Sequence, residues 1–222
     1  MKEQVDKIFK SEKEFDRVVE EIFEVAEKEE DPKKRRAKIA ELIAEVKKAF
    51  IGAHYDAITD FLTGCFNKKH IKELYHHQFA SAKRNKEYFS LGVMDIDYLK
   101  HINDTYGHST GDQVIKQIAK GIMRVIREND LIFRYGGDEF VVFCTHNEKN
   151  GMKIVIGRIN KELAGLNLIK DFKPSISIGA VTYEPAESGN LSYTQVFKEA
   201  DEKLYEAKRS RKTPDFLVKK HE

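Results

Sequence analysis

Cysteine is scarce in this chain: only Cys65 and Cys144 occur among 222 residues. Both stand in apolar surroundings, which argues against a disulfide scaffold or a zinc-type spacing and reads as reduced thiols in a cytoplasm. No run approaches the ~18 apolar residues that a membrane-spanning helix requires. Met1-Lys2-Glu3-Gln4 is not expected to open a signal peptide. A formal net charge of only +2 gives no reason to expect attraction to nucleic acid or to a membrane surface. Internal repeats and low-complexity stretches are also missing. What is present is globular: 41% of the residues are hydrophobic, enough to pack a core. The length allows one domain of about 160 residues plus an accessory segment.

The accessory segment is expected over residues 1–58. Val5, Ile8, Phe9, Phe15, Val18, Val19, Ile22 and Phe23 recur at three- and four-residue spacing, the period of one helix face. Glu29-Glu30-Asp31-Pro32 interrupts the stripe, because proline starts helices and seldom continues them. Ile39, Ala40, Leu42, Ile43, Val46 and Phe50 then form a second stripe. The pattern predicts an α-hairpin of two charged helices. Two such helices bury little by themselves, so the stripes need a partner, either the following domain or another subunit. A solvated stalk and a dimerising signal input both satisfy that requirement.

From about residue 59 helices and strands alternate. The expected elements are helix 68–86, strand 88–96, helix 111–127, strands 131–135 and 139–144, helix 150–165, strand 175–182 and helix 192–210. Pattern alone supports an α+β domain with a central sheet.

The most informative stretch is Arg134-Tyr135-Gly136-Gly137-Asp138-Glu139-Phe140. Apolar runs flank the two glycines, which is the signature of a β-hairpin whose turn uses glycine backbone freedom. Adjacent carboxylates at its tip are electrostatically awkward unless a cation sits there; a solvated acidic turn is the plainer alternative. About forty residues upstream, Tyr88-Phe89-Ser90-Leu91-Gly92-Val93-Met94-Asp95-Ile96-Asp97 reads as a buried strand ending in acids, with Asp95 and Asp97 on one face. Asn103 offers both a donor and an acceptor, and Asp112 offers paired acceptors.

The hairpin string closely resembles the signature of the GGDEF family, the diguanylate cyclases. The segment from Asp95 to Asp112 follows that family's D-x-D-x-x-K-x-x-N-D-x-x-G-H-x-x-G-D at every fixed position. Asp60-Phe61-Leu62-Thr63-Gly64-Cys65-Phe66-Asn67-Lys68-Lys69 resembles the family's D-x-L-T-G-L-x-N-R-R, with Cys65 in place of leucine and a lysine pair in place of arginines. The run from Ala200 to Lys208 looks like its final helix.

The resemblance implies a ferredoxin-like palm over about residues 59–213: a mainly antiparallel sheet flanked by helices, preceded by the α-hairpin, within a domain 59–222. It implies a reaction in which two GTP become cyclic di-GMP and two pyrophosphates across a homodimer. Metal ligands would be Asp95, the main-chain carbonyl of Ile96, and Asp138, holding two Mg²⁺ per site, with Mn²⁺ as an alternative. Asp138, Glu139 and Lys100 would be catalytic, and Asn103, Asp112 and Lys208 would bind substrate. His108 either braces its loop or joins them. In the family's final helix a second phosphate contact follows four positions after the lysine; here Lys212 stands at that position and Arg211 at the pattern's glycine, so either Lys212 or Arg211 would provide it.

Arg127 and Asp130 form an Arg-x-x-Asp with five residues between Asp130 and Gly136. That is where the family places a product-inhibition site, and Arg158 would be its secondary arginine. A non-catalytic cyclic di-GMP or GTP receptor is the rival reading, but such members lose the hairpin glycines or acids, and this chain keeps them. A sister activity making cyclic GMP-AMP or cyclic di-AMP would show variation at Asp112.

Overall fold

The computed structural model describes residues 17, 20–22, 24, 25, 28–166, 173–184, 189 and 191–210, with the side chains of 45–56 excepted. The chain divides into two compact units, Met1–Thr59 and Asp60–Glu222.

In the first unit the described residues between 17 and 28 are helical; most of the first apolar stripe lies outside the described residues. Helix α1, Pro32–Ile58, begins as its sequence dictates. The Asp31 carboxylate accepts from the backbone N–H of Lys33 at 2.8 Å and of Lys34 at 3.3 Å, satisfying donors that a helix start leaves unpaired. Pro32 takes the first helical position, where its missing N–H costs nothing. Leu42, from the second stripe, is buried, whereas Ile43 is exposed.

The second unit begins with β1 (Phe66–Asn67), a single 3₁₀ turn (Lys68–His70) and α2 (Ile71–Asn85). Strand β2 (Tyr88–Ile96) leads to α3 (Leu99–Tyr106) and α4 (His108–Val125). Strands β3 (Leu131–Arg134) and β4 (Glu139–His146) form the hairpin, followed by α5 (Gly151–Ala164), β5 (Ile176–Tyr183) and α6 (Tyr193–Ser210). The strand order is β1-β3-β4-β2-β5. All pairs are antiparallel except the short β1–β3 contact. Strands β2 to β5 with their intervening helices form the split β-α-β arrangement of a ferredoxin-like palm.

Period-two alternation splits the core between the two faces of the sheet. Phe89, Leu91, Val93, Val141 and Phe143 pack with Ile71, Tyr75 and Phe79 of α2 and Val196, Ala200 and Leu204 of α6. Met94, Ile96, Val142 and Cys144 face the other way, onto Val114, Ile118 and Ile122 of α4 and Val155 and Ile159 of α5. Asp95 and Glu139 fall in the odd-numbered register, so they share the α6 side of the sheet. That register decides which helix can reach the candidate site.

Three elements depart from the sequence expectation. Helix α3 is not among the expected elements, because eight residues with only Leu99 and Ile102 buried carry too little periodicity to register. Helix α4 starts at His108 rather than 111. Gly107, at φ +85°, ends α3 and begins α4, donating its N–H to the Asn103 carbonyl at 2.9 Å. A left-handed residue of this kind favours glycine. Strand β1, two residues long, was too short to read.

Candidate active site

The two acidic arms meet through the sheet itself. Asp95 near the end of β2 is directly opposite Glu139 at the start of β4, and the Ile96 N–H donates to the Asp138 carbonyl at 3.0 Å. Their juxtaposition is therefore set by strand register, which a one-residue slip would invert. From α6, Lys208 Nζ stands 2.8 Å from Asp95 Oδ2.

Asp97 has a different task from Asp95. Strand β2 ends at Ile96, and the buried Asp97 carboxylate accepts from Ser175 Oγ at 2.6 Å and Ser177 Oγ at 2.7 Å. It ties the strand end to β5, so the same-face pairing of Asp95 and Asp97 expected from period two does not make them partners.

The hairpin turn is closed by Tyr135 N–H and Gly136 N–H, both donating to the Glu139 carbonyl, at 2.8 and 3.3 Å. Neither Gly136 nor Gly137 occupies the left-handed region, so the expectation of conformational freedom there is replaced by one of space. A Cβ at Gly136 would come within 2.8 Å of Glu139 Oε2, and one at Gly137 would meet nothing within 4 Å. Gly137 leaves open room over the turn, where a ligand can approach the backbone.

Arg134, which the sequence reading left without a role, braces this turn. Its guanidinium donates to Asp60 Oδ1 and Oδ2 at 3.1 and 3.3 Å and to the Gly137 carbonyl at 2.8 Å. Asp60 also accepts from the Thr63 N–H at 3.0 Å and Oγ1 at 2.7 Å. The segment resembling D-x-L-T-G is thus a clamp on the acidic hairpin; the signal available in sequence was an arginine directly before the turn and an unassigned acid at Asp60. Cys65 beside it is buried in the core, and burial pushes its thiol up to about 11. It stays a neutral apolar filler.

Burial alone would raise the Asp60 carboxyl. Hydrogen bonds from Thr63 and Arg134, with the guanidinium charge, outweigh it and hold the group below its ordinary value. A depressed carboxylate stabilises the fold above its unfolded pKa of about 3.9 and loses that contribution as the pH falls through the folded value. Arg134→Ala is expected to cost about 1–3 kcal/mol by leaving a largely buried acceptor poorly paired, several degrees in Tm. The variant should also lose less stability on acidification below pH ~4 than the wild type, measured as Tm against pH. Parallel Tm curves would contradict the clamp.

At the carboxylate cluster the balance runs the other way. Burial, the largest cause, raises Asp95; Lys208 opposes it, and the Asp138 and Asp97 charges add to it. Burial also raises Glu139, reinforced by Asp138 and Asp95 and by the more distant Asp201, with Lys208 again opposing. One ammonium faces three converging carboxylates, which leaves a deficit of positive charge. All donors are hard oxygens, the set that suits Mg²⁺ or Mn²⁺. Among the described residues no three His, Cys, Asp or Glu side chains form a ready-made cage. The chain therefore offers part of a coordination shell, one that ligand oxygens can complete.

The α3–α4 elbow brings Asn103 against Gly111, the residue that precedes Asp112. A Cβ on Gly111 would lie 1.8 Å from Asn103 Oδ1, so glycine at 111 is what lets the Asn103 side chain lie there. Asn103 Oδ1 is buried with no hydrogen-bond partner, a cost normally avoided unless a ligand supplies the donor. Asp112 stands exposed at the next position. Lys100 is exposed in the first turn of α3 and makes no ion pair with another described residue, and His108 is exposed at the start of α4. Neither forms an ion pair with Asp95, Asp138 or Glu139. Lys212 and Arg211 lie outside the described residues.

Arg127, Asp130 and Arg158 gather elsewhere, at the far end of the β3–β4 hairpin from its turn. Asp130 is buried and its Oδ2 accepts from the Arg127 N–H at 2.8 Å. Arg127 and Arg158 line one cleft of about 200 Å³.

Comparison with known proteins agrees with this geometry. The family described as "Diguanylate cyclase, GGDEF domain" matches residues 57–214. Diguanylate cyclase DosC of Escherichia coli (strain K12) is 32% identical over 175 residues, covering 77% of this chain and 36% of DosC. Diguanylate cyclase DgcP of Pseudomonas aeruginosa is 34% identical over 157 residues, covering 69% of this chain and 23% of DgcP. The chain thus spans about a third or less of these relatives' length. The coiled coil and GGDEF domain of DgcB from Caulobacter crescentus, solved in complex with c-di-GMP, matches with a TM-score of 0.67 at 29% identity. That match covers 80% of this chain and 94% of the other.

Proposed function

The chain belongs to the GGDEF family of diguanylate cyclases, and on that basis we propose that it condenses two GTP into cyclic di-GMP and two pyrophosphates. The observation that carries the reading is the pairing of Asp95 with Glu139 across the sheet, with Lys208 against Asp95. Asp95, the Ile96 carbonyl and Asp138 would hold Mg²⁺, two ions per site, with Mn²⁺ as a substitute. When bound, these supply Lewis acidity at the phosphates and an acidified 3′-hydroxyl.

The chain's own residues do the rest. Asp138 accepts the proton of the 3′-hydroxyl as its oxygen bonds to the α-phosphorus of the second GTP. The bond from that phosphorus to the bridging oxygen breaks, and pyrophosphate leaves with the electron pair. A second, symmetric transfer closes the ring. Glu139 orients the acidic tip, while Lys100 and Lys208 face the phosphate charge that grows in the transition state. Lys208 gives up its contact with Asp95 to do so, and Lys212 adds a second cation. Asn103 and Asp112 select guanine, and His108 borders their elbow. The GTP-binding, catalytic and metal roles rest on residue-by-residue correspondence with the family pattern together with this geometry.

Because the product is two-fold symmetric, two half-sites meet across a homodimer axis. Residues 1–58 act as an accessory segment that raises the dimer population, and the cyclase domain occupies 59–222. Among the described residues no helix is long and apolar enough to cross a membrane. Deleting residues 1–50 should lower activity per chain in dilute solution and recover part of it at high concentration, by mass action. Rate against enzyme concentration, with light scattering in parallel, checks this; identical dimerisation with and without the segment would refute it. Product returns to the cleft of Arg127, Asp130 and Arg158. There the planar guanidiniums suit the O6/N7 edge of guanine and the phosphates, and a bound product keeps the half-sites apart.

A further inference from the structure

The cleft beside Arg127 and Arg158 contains a third nitrogen group. His146, the last residue of β4, is buried at 5% exposure and lines the same cleft as the two arginines. Its ring lies over Gly151 at the start of α5, where a Cβ would come within 2.2 Å of the imidazole Cγ and 2.5 Å of Nδ1. Any side chain at 151 would expel the ring, so the small residue there gives the histidine its place. The imidazole Nε2 has no hydrogen-bond partner, and neither does the buried Nε of Arg158. A buried polar atom without a partner is costly in a finished core and expected where a ligand completes the site.

We propose that His146 is a proton-linked member of this cleft, gaining a proton as the doubly anionic product binds, so that feedback strengthens as the pH falls. The proposal rests on the reading of Arg127, Asp130 and Arg158 as a product site and adds its regulation. The charges around the ring come from every side. Asp130 before β3 and Glu87 before β2 favour the imidazolium, and Arg127 after α4 and Arg158 on α5 oppose it. Glu148, in the loop before α5, also borders the cleft. Burial, the largest influence, holds the empty imidazole below its ordinary value, so it is neutral near pH 7.

Two phosphodiester groups arriving beside the ring reverse that balance by neutralising the arginines' repulsion. They also place anionic acceptors at an unpartnered nitrogen. A group whose affinity for protons is higher in the complex makes binding tighter at low pH, by at most tenfold per pH unit for one proton. The product's phosphodiesters do not titrate in this range, so the linkage reports on the protein.

Calorimetric titration of the full chain with cyclic di-GMP, at pH ~6.5 in two buffers of different ionisation enthalpy, reads the proton directly. The expected result is uptake of a substantial fraction of one proton per site, with affinity about three- to tenfold higher at pH ~5.5 than at ~7.5. In His146→Gln, and in His146→Asn should glutamine fit poorly over Gly151, uptake should vanish and affinity become flat with pH. Arg127→Ala separates the two readings. If Arg127→Ala abolishes binding but the wild type takes up no proton, the role of His146 is overturned and the product site stands. If Arg127→Ala leaves binding unchanged, the product-site reading falls and this inference with it.

Discussion

Asp138→Ala is expected to lower cyclic di-GMP formation by about 10²–10³-fold or more, the scale of losing one pre-organised group that stabilises charge in the transition state. Glu139→Ala should fall by a similar order. Neither loss should come from unfolding. Asp95 and Glu139 are held above their ordinary values by burial and by the charges of neighbouring carboxylates, Asp138 acting on both. A raised carboxylate adds no penalty below its unfolded pKa, and its penalty grows as the pH rises through the folded value. Near pH 7 the metal-free cluster therefore opposes folding. Removing Asp138 takes one charge from both neighbours, so the inactive variant should match or exceed the wild type in metal-free Tm. Adding Mg²⁺ should raise the wild-type Tm at pH ~7.5 more than at pH ~5, where protons compete for the same oxygens. Thermal melts with and without Mg²⁺, beside product chromatography, check both halves. A variant that is inactive because it is unfolded would refute the assignment, as would near-wild-type product formation by both variants.

The second large effect concerns the base. Asp112→Ser is expected to reduce kcat/KM for GTP by about 10–100-fold, the value of hydrogen bonds to a charged acceptor, and to admit some ATP. Adenine lacks the N1–H and N2–H pair and would leave the carboxylate unpaired; serine removes that penalty. Gly111→Ala tests the same site without touching a proposed ligand. Alanine in a helix interior should stabilise by up to ~1 kcal/mol, yet its Cβ falls 1.8 Å from Asn103 Oδ1 and must push that side chain away. The expected outcome is an unchanged or higher Tm with a raised KM for GTP. A mixed GTP/ATP incubation that yields only cyclic di-GMP from Asp112→Ser, at wild-type rate, would contradict the base assignment.

The palm and its acids were legible because they are written in local pattern. Alternation in β2 and β4 placed Asp95 and the hairpin acids at strand ends, and long amphipathic periods marked α4 and α6. The elbow between α3 and α4 was not legible, since its determinants are one positive-φ glycine and a contact between Asn103 and Gly111 across two short elements. Arg134 was missed for a related reason: its partner Asp60 is 74 residues away. His146 carries no motif at all, and only the fold brings it beside Arg127 and Arg158. Asp97, eligible by period two to join Asp95, is instead held by Ser175 and Ser177 at the entry to β5, which local pattern cannot pair with it. Lys212 falls beyond the described residues, so the second phosphate contact stands on sequence correspondence.

The most direct measurement is incubation of the full chain with GTP and Mg²⁺, with nucleotides separated by chromatography over a series of enzyme concentrations. The account predicts cyclic di-GMP and two pyrophosphates per product, at a rate per chain that rises with enzyme concentration until the dimer is saturated. Asp138→Ala should form essentially none. Intact GTP at every concentration, from enzyme that is folded and binds Mg²⁺, would contradict it.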